Sequence, residues 1–311
     1  MPVNPQIQEI LDFIAARNAP PLHTLEPPQA RIAMAKARAL VRGDEVTLAR
    51  VENRGIPGPA GRIPLRLYAD SSGTPLPMLL YLHGGGFVIG DLESHDDVCR
   101  HLARAAGCLV IAADYRLAPE HPFPAGLDDS FAAAQWVVAH ALELGGDPTR
   151  LAVGGDSAGA NLATVVTLLA RDRGGPAIRT QLLVYPVTAH DLSARSMHDN
   201  AQGYFLTVDM IRYFMGHYLR APGELEDPRV SPLKAANLAG LPPAYVLTAA
   251  YDPLCDEGRA YALRLRAAGV PVAHRHYDDA VHGFFTFTKT ALARQAIDEA
   301  AAHLRMALAL E

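Results

Sequence analysis

Short apolar segments alternate with helical segments along most of this chain, and that alternation restricts its fold more than any other feature. Segments typical of buried strands lie at 78–82, 109–113, 151–153, 182–187, 244–250 and 272–277. Helical segments separate or follow them at 98–106, 127–144, 161–170, 258–268 and 292–310. Strands joined through helices run parallel, and the helices cover both faces of their sheet. The sequence therefore predicts an α/β fold with a mostly parallel central sheet flanked by helices.

The N-terminal part of the chain has a different pattern. Apolar residues recur at helical spacing from Ile7 to Ile14 and again from Ile32 to Leu40, so two amphipathic helices are predicted, with Ile32 on the apolar face of the second. An antiparallel pair of strands is expected next, at 46–51 and 63–68, with a Gly- and Pro-rich connecting loop at 55–61.

A second departure from the alternation follows the strand at 182–187. Residues 188–228 carry aromatic and methionine side chains in helix-like segments with no strand between them, which indicates an insertion above the sheet. We expect this insertion and residues 1–45 to form a helical cap. The catalytic core would then consist of residues 46–187 and 229–311.

Composition excludes several classes of function. Of the residues, 50% are hydrophobic and 20% charged, and the formal net charge of −5 is scattered, so we expect no nucleic-acid partner. The apolar runs are far shorter than the roughly 20 residues of a membrane span. The first residues lack the basic start and unbroken apolar segment of a signal peptide. The three cysteines lack metal-type spacing, so we expect a cytoplasmic protein with reduced thiols.

The pentapeptide Gly155-Asp156-Ser157-Ala158-Gly159 follows an apolar strand and precedes a helical segment. A turn this tight brings the chain before the serine close to the chain after it, so the positions two before and two after must be almost without side chain. The serine hydroxyl then projects above the sheet beside the first N–H groups of the helix. This pattern is typical of a nucleophile.

A serine hydroxyl becomes a good nucleophile only when a base accepts its proton and an acid orients that base. In an α/β sheet, reacting groups gather at the carboxyl ends of the strands. Asp252 follows the strand at 244–250, and His282 follows the strand at 272–277. We therefore predict Ser157, Asp252 and His282 as the catalytic residues.

Four other carboxylates compete with Asp252 for the role of the acid. Asp256 and Glu257 fall at the start of a helix, where carboxylates commonly interact with the helix dipole. Asp278 and Asp279 lie four and three residues before His282, and a carboxylate so close along one loop rarely faces the imidazole. Asp252 is the preferred assignment.

A glycine-rich segment, His83-Gly84-Gly85-Gly86, follows the first of the parallel strands. Adjacent glycines allow bare backbone N–H groups to approach a ligand. We predict that the N–H groups of Gly84, Gly85 and Ala158 stabilise the oxyanion of a tetrahedral intermediate. The alternative is a turn that only crosses the sheet. A phosphate loop is disfavoured, because no Gly-Lys-Ser/Thr follows.

Five ordered motifs carry a family resemblance: His83–Phe87, Tyr115–Ala125, Gly155–Gly159, Asp252–Gly258 and His282–Phe284. From about residue 75 onward, the chain resembles the hormone-sensitive-lipase-like carboxylesterases of microbes. The resemblance implies an α/β-hydrolase core with a helical cap. It also implies hydrolysis of short- to medium-chain acyl esters without a cofactor or metal, with catalytic roles for Ser157, Asp252 and His282. Ala160 and Cys255 replace a glycine and an arginine of many relatives, at positions that should perform no chemistry.

The cap and the glycine-rich segment contain four candidate substrate-binding residues, Phe87, Tyr204, Phe205 and Leu206. Ordinary cap packing is the alternative for each of them. The cap mixes these aromatic residues with charged ones, so small soluble esters are favoured over the interfacial substrates of a lipase. An amidase leaves no distinct mark in the sequence. A ligand-binding receptor on the same scaffold would lack the catalytic histidine, which is present here as His282.

Three further features leave alternatives open. Glu120 and His121 either brace the glycine-rich loop or cap a turn. His274 and His276 alternate on an edge-like strand and are expected to be solvated rather than to bind a metal. Relatives also suggest a homodimer formed through the strand at 272–277.

Overall fold

Eight strands form one central sheet in the computed structural model of the chain, which describes residues 2–71 and 75–309. In chain order the strands are β1 (Arg50–Gly58), β2 (Gly61–Ala69), β3 (Leu76–Leu82), β4 (Leu109–Ala113), β5 (Gly146–Asp156), β6 (Thr180–Val184), β7 (Ala244–Tyr251) and β8 (Val272–Val281). Across the sheet they lie in the order β1-β2-β4-β3-β5-β6-β7-β8. Strand β2 runs antiparallel to both of its neighbours, and β3 to β8 are parallel to one another. The predicted mostly parallel sheet is confirmed.

Helices cover both faces of this sheet. In the described residues they are α1 (Pro5–Ala16), α2 (Pro27–Val41), α3 (Asp96–Ala106), α4 (Ala125–Ala139), α5 (Ala141–Leu144), α6 (Ala158–Arg173), α7 (Arg195–Asp199), α8 (Val208–Tyr218), α9 (Cys255–Ala267) and α10 (Ala291–Ala307). Neighbouring residues of β3 point to opposite faces. Leu80 packs in the core with α4 and α6, whereas Leu79 packs in the core with α3 and α10. The apolar strands are therefore buried on both sides, as the unbroken apolar segments predict.

The N-terminal antiparallel pair is confirmed, but its predicted bounds are wrong. Strand β1 begins at Arg50 rather than at residue 46 and continues through most of the predicted loop. Gly58 pairs with Gly61, so only two residues form the turn. Ile56 and Ile63 face each other and are buried, which keeps the pair regular across its glycines and prolines. An edge strand tolerates such residues because one of its sides needs no ladder hydrogen bonds.

Two helices also differ from their predictions. The helix predicted at 127–144 is divided at His140 into α4 and α5. Helix α2 forms where it was predicted, but its expected apolar face is wrong. Ile32 is 57% exposed, whereas Ala30 and Val41 are buried. Because α2 is rich in alanine, its apolar periodicity is weak and tertiary packing decides which face is buried.

The inserted residues 188–228 contain α7 and α8 and no strand. Helix α8 contacts the short 3₁₀ turn Leu22–Thr24, which lies between α1 and α2 in the N-terminal segment. No helix in the described parts of the chain is long and apolar enough to cross a membrane.

Candidate active site

Ser157 occupies the sharp turn between β5 and α6. Its backbone has φ of 55° and ψ of −117°, in the left-handed half of conformational space where a residue with a side chain is strained. The Ser157 N–H donates to the carbonyl of Val184 at 2.8 Å, which holds the turn against β6. A Cβ atom at Gly155 or Gly159 would overlap the carbonyl oxygen of Leu82. The two glycines of the pentapeptide are thus required by this close approach to β3.

Asp252, His282 and Ser157 form a continuous hydrogen-bonded chain. Asp252 Oδ2 lies 2.8 Å from His282 Nδ1, and His282 Nε2 lies 2.9 Å from Ser157 Oγ. A carboxylate can only accept, so the Nδ1–H donates to Asp252 and Nε2 is left to accept from the serine hydroxyl. Strand β8 extends to Val281, so His282 follows the strand directly rather than five residues after its predicted end.

The environment of Asp252 fixes its orientation. Its side chain is fully buried, and its second oxygen, Oδ1, accepts from the N–H of Leu254 at 2.8 Å. Both carboxylate oxygens therefore have a hydrogen-bond donor, one of which is the imidazole of His282. This arrangement can stabilise a histidine that gains a proton during a reaction.

The competing carboxylates lie elsewhere. Asp256 accepts from the N–H of Ser196 and Glu257 from the N–H of Thr188, so both attach α9 to the inserted residues. Burial raises the pKa of Glu257 to about 7. Asp278 lies 3.3 Å from the imidazole of His276, and Asp279 accepts from the side chain of Asn4. The side chains of His274 and His276 both bond to the hydroxyl of Thr248.

The structure contradicts one predicted oxyanion donor. The N–H of Gly84 donates to Asp156 Oδ1 at 3.0 Å, so this donor is already engaged within the protein. The next two glycines, Gly85 and Gly86, have φ of +122° and +59°, and their N–H groups donate to no acceptor among the described residues. Ala158 is the first residue of α6, and its N–H is likewise without an intrahelical partner. The geometry thus replaces Gly84 by Gly86 as the candidate donor, beside Gly85 and Ala158.

Asp156 connects the serine turn to the glycine-rich loop. Its Oδ1 accepts from the hydroxyl of Tyr81 at 2.9 Å and from the N–H of Gly84, and it lies 3.1 Å from His95 Nε2. Burial alone would raise the pKa of Asp156, but His95, Arg38 and Tyr81 together hold it well below its usual range. These three partners make Asp156 a structural residue that holds the glycine-rich loop against the serine turn.

His83 also supports the loop. Its ring stacks on the ring of Tyr115 with centroids 4.4 Å apart, and the hydroxyl of Tyr115 donates to the His83 carbonyl at 2.7 Å. Burial and the neighbouring His95 lower the pKa of His83 to about 4. At neutral pH His83 is therefore an uncharged packing residue rather than a proton donor.

Glu120 belongs to a second brace, which the sequence left open. Arg31 of α2 forms an ion pair with Glu120 at 2.6 Å and donates to the carbonyls of Val88 and Ala118. The hydrogen bond from Arg31 lowers the pKa of Glu120 to about 2. Helix α2 is thereby attached to the segment just after the glycine-rich loop.

A cavity of about 70 Å³ opens beside Ser157. Of the four predicted substrate-binding residues, Phe87, Phe205 and Leu206 line it. Tyr204 does not. Its ring packs instead on Tyr251, with centroids 4.8 Å apart, because the segment is irregular, with φ of +62° at Phe205, and neighbouring side chains project in different directions.

Several cavity residues were missed by sequence reasoning. Helix α8 contributes Met210, Phe214 and Tyr218, which are spaced four residues apart and so lie on one face. That spacing was readable in the sequence. Helix α2 contributes Met34 and Arg38, on the face opposite to the one predicted to be apolar, and no sequence pattern singled them out.

Comparisons with known proteins agree with this geometry. Residues 79–286 match the profile of a family described as alpha/beta hydrolase fold. The chain is 48% identical to the carboxylic ester hydrolase LipN of Mycobacterium tuberculosis over 240 residues, which are 75% of this chain and 64% of that protein. It is 39% identical to an ethyl acetate hydrolase of Pseudomonas putida over 293 residues, covering 91% of this chain and 92% of that protein.

A solved structure is similar over nearly the whole chain. The ester hydrolase EH1AB1 from the metagenome of Lake Arreo, complexed with a derivative of bipyridine phosphonate, superposes with a TM-score of 0.95. The two sequences are 44% identical, and the match covers 98% of each chain.

Proposed function

Because the chain belongs to the hormone-sensitive-lipase-like family of α/β-hydrolases, we propose that it is a carboxylesterase that cleaves small acyl esters. The observation that carries the proposal is the relay of hydrogen bonds from Asp252 through His282 to Ser157. These hydrogen bonds end at a cavity whose wall includes Gly85 and Gly86, and the N–H groups of both glycines have no acceptor among the described residues. These are the parts that acyl transfer through a serine requires.

The reaction begins when His282 Nε2 accepts the proton of Ser157, as Ser157 Oγ attacks the ester carbonyl. Asp252 stays ionised and stabilises the imidazolium. His282 then gives the proton to the leaving alcohol, and an acyl-enzyme remains. Water that loses a proton to His282 attacks this acyl group. The bond from the acyl carbon to Ser157 Oγ then breaks, the acid leaves, and His282 returns the proton to Ser157 Oγ.

The carbonyl oxygen becomes negative in both tetrahedral intermediates. We assign its stabilisation to the N–H groups of Gly85, Gly86 and Ala158. One such donor is worth roughly 3–4 kcal/mol of transition-state stabilisation. The N–H of Gly84 serves a different purpose, because its bond to Asp156 holds the loop in place.

The size and lining of the cavity support short- to medium-chain acyl groups. Its free space of about 70 Å³ is enclosed by aromatic, methionine and leucine side chains, which suit a small apolar group. We propose that residues 1–45 and 188–228 form the cap that encloses it, because α2 and α8 supply much of the lining. A lipase acting on long chains at an interface would need a larger exposed apolar surface.

Replacing Ser157 by alanine tests the proposal directly. Hydrolysis of p-nitrophenyl esters from acetate to palmitate should fall by at least about 10⁴-fold, because the nucleophile is lost while the fold remains. In the unmodified protein, kcat/KM should fall steeply beyond medium chains. Ser193→Ala, which removes an exposed serine of the insertion, is the matched control and should keep full activity. Near-normal turnover by Ser157→Ala would contradict the assignment.

A further inference from the structure

Arg38 is a cation at the wall of the active-site cavity that forms no side-chain hydrogen bond or ion pair among the described residues, although its charge helps to lower the pKa of Asp156. It lies on α2 and lines the same cavity as Ser157 and His282. Its Nε and Nη1 atoms are buried, and neither donates to any acceptor among the described residues. The arginines before and after it differ, since Arg31 is paired with Glu120 and Arg42 with Asp96. Of these three arginines, Arg38 alone lacks a side-chain partner among the described residues.

The cavity itself offers Arg38 no free counter-charge. Among the described residues lining it, the one carboxylate is Asp156. That carboxylate is already bonded to Tyr81, Gly84 and His95. The rest of the wall is largely apolar, with Phe214 of α8 among its side chains. A guanidinium in such surroundings attracts an anion more strongly than it would in water, because little solvent screens the charge.

We propose that Arg38 binds the carboxylate of a substrate that carries an acid group in addition to its ester. Half-esters of dicarboxylic acids and acyloxy acids are the two classes of this kind. The guanidinium presents several N–H donors in one plane, a geometry that matches a carboxylate. This inference rests on the proposed esterase activity of Ser157 and specifies its substrate class.

A second cavity offers Arg38 a purely structural role, which the proposal must exclude. This cavity of about 190 Å³ is also lined by Arg38, and by Asp91, Glu93 and Asp97. Asp97 Oδ1 is buried and accepts no hydrogen bond among the described residues, and Arg38 Nε and Nη1 donate none. If Arg38 served only Asp97, its removal would weaken hydrolysis of charged and neutral esters equally.

The test compares charged and neutral esters of similar length in the full chain. Monoethyl glutarate against ethyl hexanoate places the charge on the acyl side, and 4-acetoxybutanoate against pentyl acetate places it on the alcohol side. Arg38→Met should lower kcat/KM for the charged member of at least one pair by about 10- to 100-fold, the range expected for a lost charge-assisted contact. The neutral member should lose activity by a clearly smaller factor, so that the charged-to-neutral ratio of kcat/KM falls by about 10-fold or more.

Two further variants make the comparison specific. Arg38→Lys keeps the charge and should recover part of the activity on the charged ester, with a higher KM because the planar contact is lost. Lys36→Met removes an exposed cation of the same helix and should leave the charged-to-neutral ratio unchanged.

The outcomes separate this inference from the esterase proposal. Equal losses on charged and neutral esters in both pairs would overturn the role of Arg38 while leaving the esterase intact. If no ester of either kind were hydrolysed, the esterase proposal would fail. Calorimetry of glutarate binding to the unmodified protein and to Arg38→Met would then still test whether Arg38 binds a carboxylate. Binding that depends on Arg38 supports the site, and equal or absent binding overturns it.

Discussion

Asp156→Asn tests how the serine turn and the glycine-rich loop are coupled. Asp156 is only 2% exposed, and its Oδ1 has three donors, Tyr81, Gly84 and His95. An asparagine oxygen can still accept, but it carries no charge. Each charge-assisted bond then loses about 1 kcal/mol, and three bonds give a loss of about 3 kcal/mol in the free energy of unfolding. This agrees with the roughly 3–5 kcal/mol expected when one partner of a buried pair is removed.

The same change should lower the rate of ester hydrolysis. Gly84 precedes the candidate donors Gly85 and Gly86, so a looser bond at Gly84 allows both donors to move. A displacement of about 1 Å at such a site costs on the order of 100-fold in rate. The loss should appear in kcat rather than in KM, because the donors stabilise the transition state more than the bound ester.

Urea unfolding and p-nitrophenyl acetate hydrolysis, both at pH 7.5, measure the two effects. The control is Asp199→Asn, whose ion pair with Arg195 is exposed, so its free energy of unfolding should change by less than about 0.5 kcal/mol. The depressed pKa of Asp156 predicts the pH dependence. A carboxyl of this kind stabilises the folded state above its unfolded pKa near 4, and this contribution declines as the pH falls further. The difference in the free energy of unfolding between the unmodified protein and Asp156→Asn should therefore be constant above about pH 5 and shrink below about pH 4. A variant with normal kcat and normal stability would refute the coupling.

Two other changes test separate parts of the structure. Gly86→Ala should reduce kcat/KM by on the order of 100-fold with the fold retained, because its Cβ would overlap the ring of Phe214 and residue 86 has a φ of +59°. The control is Gly223→Ala, where the added Cβ would meet no other atom. Normal activity in Gly86→Ala would contradict the role of this glycine. Glu257→Gln tests the carboxyl whose pKa burial raises to about 7. The folded protein holds this proton more tightly than the unfolded chain, so its stability contribution declines as the pH rises from about 4.5 through 7. The change in Tm between pH 5.5 and pH 8, measured by thermal unfolding, should be smaller in Glu257→Gln than in the unmodified protein. Equal changes in Tm would contradict the assignment.

The sheet and the positions of Ser157, Asp252 and His282 were readable from the sequence because each depends on local pattern plus one general rule. Apolar strands alternating with helices predict a parallel sheet, and its carboxyl ends bring loops together that are far apart in the chain. Asp252 and His282 were found by that rule alone, and the structure places them in one hydrogen-bonded chain. Their catalytic roles remain the proposal made above.

The choice among the glycines could not be made from the sequence. Gly84, Gly85 and Gly86 are the same type of residue, and each permits a close approach of the backbone to a ligand. They differ only in which N–H already has an acceptor, and that acceptor, Asp156, comes from a strand that is not adjacent in sequence. The prediction that Tyr204 lines the cavity was wrong for a similar reason. The direction of a side chain in an irregular segment depends on tertiary contacts that no sequence periodicity describes.

Helix α2 shows why the usual amphipathic interpretation is inverted at a site of this kind. The rule assumes that apolar residues are buried and charged ones are exposed. Here Ile32 is exposed, whereas Arg31 and Arg38, two turns apart on one side of the helix, point inward. Arg31 donates to two backbone carbonyls and forms an ion pair with Glu120, and these contacts are sufficient to explain why it points inward. Arg38 has no such partner among the described residues, and a partly buried charge retained at a cost in stability is expected where a ligand supplies the missing contact. The face that the pattern misassigned is thus the face of α2 that reaches the cavity beside Ser157.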